Sequence, residues 1–372
     1  MASTNGLEHV VAAQTDLSLV DGTAGRLVYR GHFAQDLAQT RSFEEVAHLL
    51  WAGRLPNPAE RAALVDELRS QLSLPEYVKH IIQALPPEQS MMDVLRTAIS
   101  ALGAAAAWPP TLADAKRLTA AMPSIIAHRQ AFLEHRAPVT PHPDLGYAAN
   151  YLYMLSGEVP SPEKARALEA YLIITMEHGM NASTFAARVV TSTQSDMASA
   201  LAAALGAMKG PLHGGAPAEV MSMLEEIGTA ENAEPWLRQA LERGERLMGF
   251  GHRVYKTRDP RAVALRSVVQ GMRDEDPLFN LSVVVEDTAI RLLNEYKPGR
   301  QLYSNVEYWA AAILRTVNMP KPLYTPTFSV SRAVGWTAHI LEQAAGNRLI
   351  RPQSEYVGPL PIDDATSLST TR

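Results

Sequence analysis

The chain has 372 residues and a mass of 40.6 kDa, large enough for one sizeable domain and one smaller one. Its 47% hydrophobic and 20% charged residues describe a globular protein, and a net charge of −5 with pI near 6.1 argues against a general nucleic-acid binder. The absence of cysteine excludes disulfides, thiolate metal sites and Cys nucleophiles. No apolar run approaches the ~20 residues of a membrane span, and the N-terminal segment carries no signal or transit pattern, so a cytoplasmic location is expected.

Taken in chain order, the first signal is LSLVDGTAGRLVYRG (17–31), two short strands joined around Asp21, Gly22 and Gly25. SFEEVAHLLWAGRLP (42–56) predicts a helix. Ser42 and Glu45 form its capping box, Phe43, Val46, Leu49 and Leu50 its apolar face, and Gly53 its stop. Asn57-Pro58 opens the next helix, with Leu64, Leu68 and Leu72 on one side. Ser161-Pro162 and Asp259-Pro260 repeat that start signal, and Thr327 is placed to cap the helix of FSVSRAVGWTAHILEQAA. TAISALGAAAAW (97–108) and ASALAAALGAMKG (198–210) are rich in small residues that let helices pack closely. The polar end, LPIDDATSLSTTR, reads as a loose tail. The expected fold is all-α with one small N-terminal β-hairpin.

Three of the eleven histidines occupy unusual settings. His178 lies in MEHGMNAS, where a helix signal ends in Gly179. His213 lies in GPLHGG (210–215) and His252 in GFGHRVYKTRDPR (249–261). Glycine beside histidine lets backbone approach a ligand closely, and two such imidazoles suit hydrogen-bond donation to carbonyl oxygens. Each alone also reads as a turn or helix-end histidine bonded to backbone. Metal ligation is weakly supported: HExxH is absent, and no second ligand stands at helical spacing from His213 or His252. GFGH lacks the third glycine of a dinucleotide fingerprint, and the run before it, QALERGERLM, reads as helix. GPLHGG lacks the Lys-Ser/Thr of a P-loop, and GMNAST has no nucleophile-elbow pattern.

Arg261 follows Asp259-Pro260 at a helix start, Arg332 interrupts an apolar helical pattern, and Arg351 lies just past that helix. Converging guanidiniums suit a dianionic substrate, although singly each also reads as a solvated or salt-bridged residue. Glu307, in SNVEYWAAAIL (304–314), sits at the start of a strongly apolar helix. The dipole favours a carboxylate there, so a plain helix-start acid is the alternative reading.

Together and in order, DGTAGRLVYRG, SFEEVAHLLWAGRLP, EHGMNASTFAARVVTST, GPLHGGAP, GFGHRVYKTRDPR, SNVEYW, TPTFSVSRAVGWTAHILEQ and RLIRPQSEYVGP resemble the citrate synthase family, over about residues 17 to 359. The length is similar to that of its compact prokaryotic type. The resemblance implies a two-domain helical fold, with residues 1–213 and 316–372 in the large domain and 214–315 in the small one. It implies that His213 donates to the thioester carbonyl of acetyl-CoA as the enol forms, and that His252 polarises the ketone of oxaloacetate. It implies that His178, Arg261, Arg332 and Arg351 hold the oxaloacetate carboxylates, Arg351 by reaching into the neighbouring site of a homodimer. The loop Arg246, Leu247, Met248, Gly249, Phe250 and Gly251 would wrap the adenine end of CoA, with Lys256, Arg258 and Asn305 as further CoA contacts.

Elementary chemistry agrees. A thioester methyl is too weak an acid for a base alone, so a donor must meet the developing enolate oxygen. No metal or redox cofactor is required, acetyl-CoA being a substrate. Hydrolysis of citryl-CoA in the same site would make the condensation irreversible. The family's base is an aspartate in PNVD, whereas Glu307 stands in SNVE here; a 1 Å misplacement of such a group costs ~100-fold. The family's Asp-His-Glu is replaced by Glu177-His178-Gly179. The expected activity is condensation of acetyl-CoA with oxaloacetate to citrate. The alternatives are a 2-methylcitrate synthase using propionyl-CoA, or a weakly active paralogue that binds CoA or oxaloacetate.

Overall fold

The run from Ser18 to Phe33 builds an antiparallel sheet of three strands, β1 (Ser18–Asp21), β2 (Arg26–Tyr29) and β3 (His32–Phe33). Leu27 and Tyr29 are buried while Arg26 is exposed, as alternation along a half-buried strand requires. The Asp21 carboxylate shapes the β1–β2 turn by accepting the N–H groups of Thr23 and Ala24 at 3.1 and 2.8 Å. The expected hairpin is thus extended by one strand. Arg30 and Gly31 take φ values of +46° and +87°, and this two-residue turn returns the chain to pair Tyr29 with His32 and Val28 with Phe33.

The computed structural model describes residues 5–7, 10–103, 108–214, 216–252, 254–271 and 277–359. The expected tail at 360–372, Gly215, and residues 104–107 of the first small-residue segment lie outside these. The described residues hold sixteen α-helices. The first ten are α1 (Ala34–Thr40), α2 (Phe43–Ala52), α3 (Pro58–Ser70), α4 (Glu76–Ala84), α5 (Met91–Ala101), α6 (Leu112–Leu133), α7 (Tyr147–Ser156), α8 (Pro162–Ile174), α9 (Ala182–Ser192) and α10 (Met197–Met208). The rest are α11 (Ala216–Ile227), α12 (Ala230–Glu242), α13 (Pro260–Gln270), α14 (Pro277–Tyr296), α15 (Val306–Thr316) and α16 (Tyr324–Ala345). No helix among the described residues is long and apolar enough to cross a membrane.

Local signals account for most helix starts. Ser42 with Glu45 and Asn57 with Glu60 form complete capping boxes, and Gly53 closes α2 in the left-handed region. The side chains of Ser161 and Asp259 accept first-turn N–H groups of α8 and α13. Thr327 is not a cap. α16 starts earlier, at Tyr324, because Pro326 fits a first turn whose N–H groups need no partner; Thr327 is buried inside it, 2.9 Å from the Tyr151 hydroxyl.

α16 is central, packed against α2, α6, α8, α9 and α10, and it is buried nearly all round. The small residues of α10 let it lie close to α5 and α9; a β-carbon on Gly103 would stand 3.0 Å from that of Ala198. Helices α11 to α15 form a second cluster, in which α12 packs on α14 and α15 on α11 and α13. α13 and α15 lean on α8, and α13 also meets α1. The segments carrying the candidate residues meet along this seam.

Candidate active site

His178 does not end a helix. α8 stops at Ile174, and residues 175–181 form a loop in which Gly179 takes φ +63°. Gly335 of α16 lets this loop lie directly on the central helix: a β-carbon there would stand 2.4 Å from the Met176 carbonyl oxygen and 2.7 Å from a Glu177 oxygen. Glu177, beside His178, is fully buried. Arg188 donates to His339 Nδ1 at 2.8 Å, so the His339 proton sits on Nε2, 3.2 Å from Glu177 Oε1. Burial pushes the Glu177 carboxyl up, but His339, Arg332 and the Ser18 hydroxyl outweigh it and hold it below its ordinary value. A fixed anion therefore underlies the His178 loop.

His213 lies in a tight turn, its N–H donating to the Gly210 carbonyl at 2.9 Å. A β-carbon on Gly214 would stand 2.4 Å from the Met208 carbonyl oxygen, so the turn needs glycine there. Ser183, at the start of α9, presents its backbone N–H to His213 Nε2 at 3.4 Å and its hydroxyl at 2.7 Å. An N–H can only donate, so Nε2 accepts and Nδ1 carries the ring proton. Trp336 of α16 donates to the same serine hydroxyl at 3.1 Å, which locks Ser183 in place.

His252 is oriented by its own loop. The N–H groups of Val254 and Tyr255 both donate to Nδ1 at 3.0 Å, leaving the proton on Nε2. That nitrogen faces the Arg261 guanidinium at 3.1 Å. Two donors confront each other there, and an acceptor oxygen between them would satisfy both. Tyr255 ties the cluster together, its hydroxyl 3.1 Å from His178 Nε2 and its ring 4.9 Å from that of His252. The His178 and His252 rings meet edge to face at 5.7 Å.

Asp259 fixes the charged wall. It accepts from Arg261 through both carboxylate oxygens, at 3.0 and 2.8 Å, and from the Val306 N–H at 3.1 Å. One buried side chain thereby joins the starts of α13 and α15 and sets Arg261 beside Glu307. Asn305 caps α15 by accepting the Glu307 N–H, and its amide donates to the Gly251 carbonyl at 2.9 Å. The Glu307 carboxylate is half-buried, and among the described residues it accepts no hydrogen bond and forms no ion pair. Burial raises its pKa, Arg261 pulls it down, Asp259 pushes it up and Arg332 pulls it down; the balance is upward.

Arg332 is buried, with Nε bonded to the Thr175 carbonyl at 2.9 Å. Its two terminal nitrogens have no hydrogen-bond partner among the described residues, and so stand available to an anion. Burial and nearby guanidiniums depress all three histidines, His213 and His252 to about 4 and His178 well below its ordinary value. All are neutral at pH 7. The site thus combines neutral imidazole donors, an unpaired carboxylate of raised pKa and two held guanidiniums, an arrangement suited to enolisation next to a dianion.

Of the remaining candidates, Leu247 and Phe250 bury their side chains, leaving only their backbone for a ligand, while Arg246 is exposed and Met248 half-buried. Gly249 and Gly251 take φ values of +82° and +81° and bond to Asn305 and Tyr303, which clamps this loop to the start of α15. Only part of QALERGERLM is helical: α12 ends at Glu242, Gly244 turns the chain at φ +75°, and Phe250 bridges to Ser304. Lys256 and Arg258 are exposed, the Arg258 guanidinium lying 5.6 Å from the Tyr303 ring centre. Arg351 is exposed beyond α16 and makes no contact with the cluster within the described chain.

The sequence matches the family described as citrate synthase, C-terminal domain, over residues 6–353. The chain belongs to the citrate synthase family. It is similar to citrate synthase 2 of Bacillus subtilis, with 42% identity across 98% of this chain and 100% of that one. A 2-methylcitrate synthase of Mycobacterium tuberculosis is also 42% identical, across 95% of this chain and 90% of its own. The structure of the ternary complex of carboxymethyl coenzyme A and oxaloacetate with citrate synthase from Thermoplasma acidophilum matches with a TM-score of 0.86 and 31% identity, over 97% of this chain and 98% of that one. The chain is therefore a citrate synthase-type enzyme, an acyltransferase.

Within this citrate synthase fold, sequence reasoning missed Ser183, Tyr255 and the Glu177–His339–Arg188 set, and saw Asp259 only as a cap. GMNAST and VYK gave no cue to the first two, because their partners are distant in the chain. An arginine and a histidine in the otherwise apolar stretches of α9 and α16 were the available signal for the third.

Proposed function

We propose that this enzyme condenses acetyl-CoA with oxaloacetate and water to give citrate and CoA. The observation that carries the reading is the Glu307 carboxylate, without a partner among the described residues, which shares the Arg261 and Arg332 guanidiniums with neutral His252 and His213. Glu307 takes a proton from the thioester methyl while His213 donates Nδ1–H to the thioester oxygen. The resulting enol carbon attacks the oxaloacetate ketone, whose oxygen accepts from His252 Nε2–H and Arg261. Arg332, Arg261 and His178 hold the two carboxylates, and Arg351 of the partner subunit in a homodimer completes that set. Water then cleaves the thioester of citryl-CoA, releasing CoA and a proton. The 246–251 loop and Asn305 receive CoA, with Lys256 and Arg258 toward its phosphates. No metal or redox group takes part in these steps.

A relative that is a 2-methylcitrate synthase has the same sequence identity to this chain as one that is a citrate synthase, so propionyl-CoA is the competing acyl donor. The two substrates differ by one methylene, worth about 1–3 kcal/mol in a fitted pocket. Free-thiol release with oxaloacetate should give acetyl-CoA a kcat/KM about tenfold or more above that of propionyl-CoA. A preference of that size for propionyl-CoA would instead make the enzyme a 2-methylcitrate synthase.

A further inference from the structure

The small N-terminal sheet touches both histidine loops. On the His178 side, the Ser18 hydroxyl donates to Glu177 Oε1 at 3.0 Å, and the Tyr29 hydroxyl lies 2.8 Å from the Glu177 carbonyl oxygen while accepting the Glu177 N–H at 3.2 Å. A Val20 methyl lies 3.2 Å from where a β-carbon on Gly179 would stand. On the His252 side, the Lys256 N–H donates to the Gly22 carbonyl at 2.8 Å. A β-carbon on Gly22 would stand 2.2 Å from the Val254 carbonyl oxygen, and one on Gly25 would stand 2.4 Å from Thr257 Oγ1. The β1–β2 turn is therefore seated on residues 254–257 with no room for a side chain at either glycine.

The seat matters because of what those residues do. Val254 and Tyr255 supply the two N–H groups that hold His252 Nδ1. The Val254 carbonyl and the Tyr255 N–H belong to one planar peptide unit, so pushing the oxygen turns the donor with it.

We propose that the β1–β2 turn is a positioning brace for His252, fixing its ring and tautomer through the 254–257 backbone. The strands behind the turn fix Glu177 beside His178, so one hairpin sets two imidazoles of the site. The kinetic consequence rests on the proposed role of His252; the effect on its tautomer does not.

The test compares Gly22→Ala with Thr23→Ala in full-length protein carrying ¹⁵N-histidine. Thr23 is exposed, and alanine keeps the N–H that it gives to Asp21. His252 ring signals are assigned through His252→Asn, folding is checked by circular dichroism, and kcat/KM for oxaloacetate is measured by thiol release. Gly22→Ala should move the His252 Nδ1 signal from a fixed unprotonated value toward averaged tautomers and lower kcat/KM about tenfold or more, while Thr23→Ala matches wild type. Should Gly22→Ala not fold, Gly25→Asn should show the same losses, asparagine tolerating the φ of +64° that would strain alanine, and adding Thr257→Ala, which removes the obstructing hydroxyl, should restore most of them. A folded Gly22→Ala or Gly25→Asn protein with wild-type His252 signals would overturn the brace, as would a Gly25→Asn loss that Thr257→Ala leaves unrepaired. If the wild type binds oxaloacetate without turnover, the catalytic reading fails, and the ¹⁵N comparison still decides the brace.

Discussion

Glu307→Gln should lower kcat for thiol release about 10²–10⁴-fold while leaving oxaloacetate affinity within about twofold. The amide keeps the shape and cannot take a proton. It also breaks no ion pair, because the carboxylate has none among the described residues. Glu307→Asp should retain more activity and still fall about 100-fold, since a side chain one methylene shorter withdraws from a position set by the Asn305 cap and Asp259.

The same substitution has a signature in stability and pH. The folded state raises the Glu307 pKa. Folding therefore favours the protonated form, and a cost appears as pH rises through the carboxylate range and persists at pH 7. Glu307→Gln removes that cost, so the melting midpoint at pH 7 should hold or rise. In wild type, kcat/KM, which reports the free enzyme, should fall on acidification with a midpoint above 4.5, the ordinary value of this carboxyl. His213 and His252, depressed to about 4, add no limb near 6.5. A limb at 6.5 that remains in the residual activity of Glu307→Gln would contradict both assignments.

His213→Ala should cost about 10²–10³ in kcat, the usual loss for one donor aimed at a developing oxyanion. The change should fall on kcat rather than on KM for oxaloacetate, because the proposed partner of His213 is the thioester and not the dianion. Ser183→Ala separates the donor from its support. The backbone N–H that holds Nε2 survives it, while the hydroxyl bonded to Trp336 is lost, so the loss should be several-fold smaller. Equal losses from the two variants, measured by steady-state thiol release, would show that the serine rather than the imidazole carries the effect.

What was legible in the sequence was local. Capping boxes at Ser42 and Asn57, proline starts at 58, 162 and 260, and the glycine stop at Gly53 all involve residues within one helical turn, and each appears in the structure, whereas the stop read at Gly179 does not. The three histidines, Arg261, Arg332 and Glu307 stood out because their types clash with their neighbours: imidazoles among glycines, a guanidinium in an apolar helix. The structure gathers these residues along the seam beside α16. Thr327 misled because a TPT start looks the same whether the helix begins there or one turn earlier. Tyr255, Ser183 and the Glu177 set act through partners far off in sequence, and Gly22 matters only because another backbone lies against it. Arg351 belongs to a separate class, since its proposed target is on another copy of the chain.

The most direct test follows the carbon–carbon bond. With oxaloacetate and acetyl-CoA carrying ¹³C in its methyl group, the proposed chemistry moves the label into a methylene of citrate, with one free CoA thiol per citrate formed, and neither substrate alone releases thiol. Thiol release with the label recovered as acetate, or no conversion by protein that binds oxaloacetate, would contradict the account.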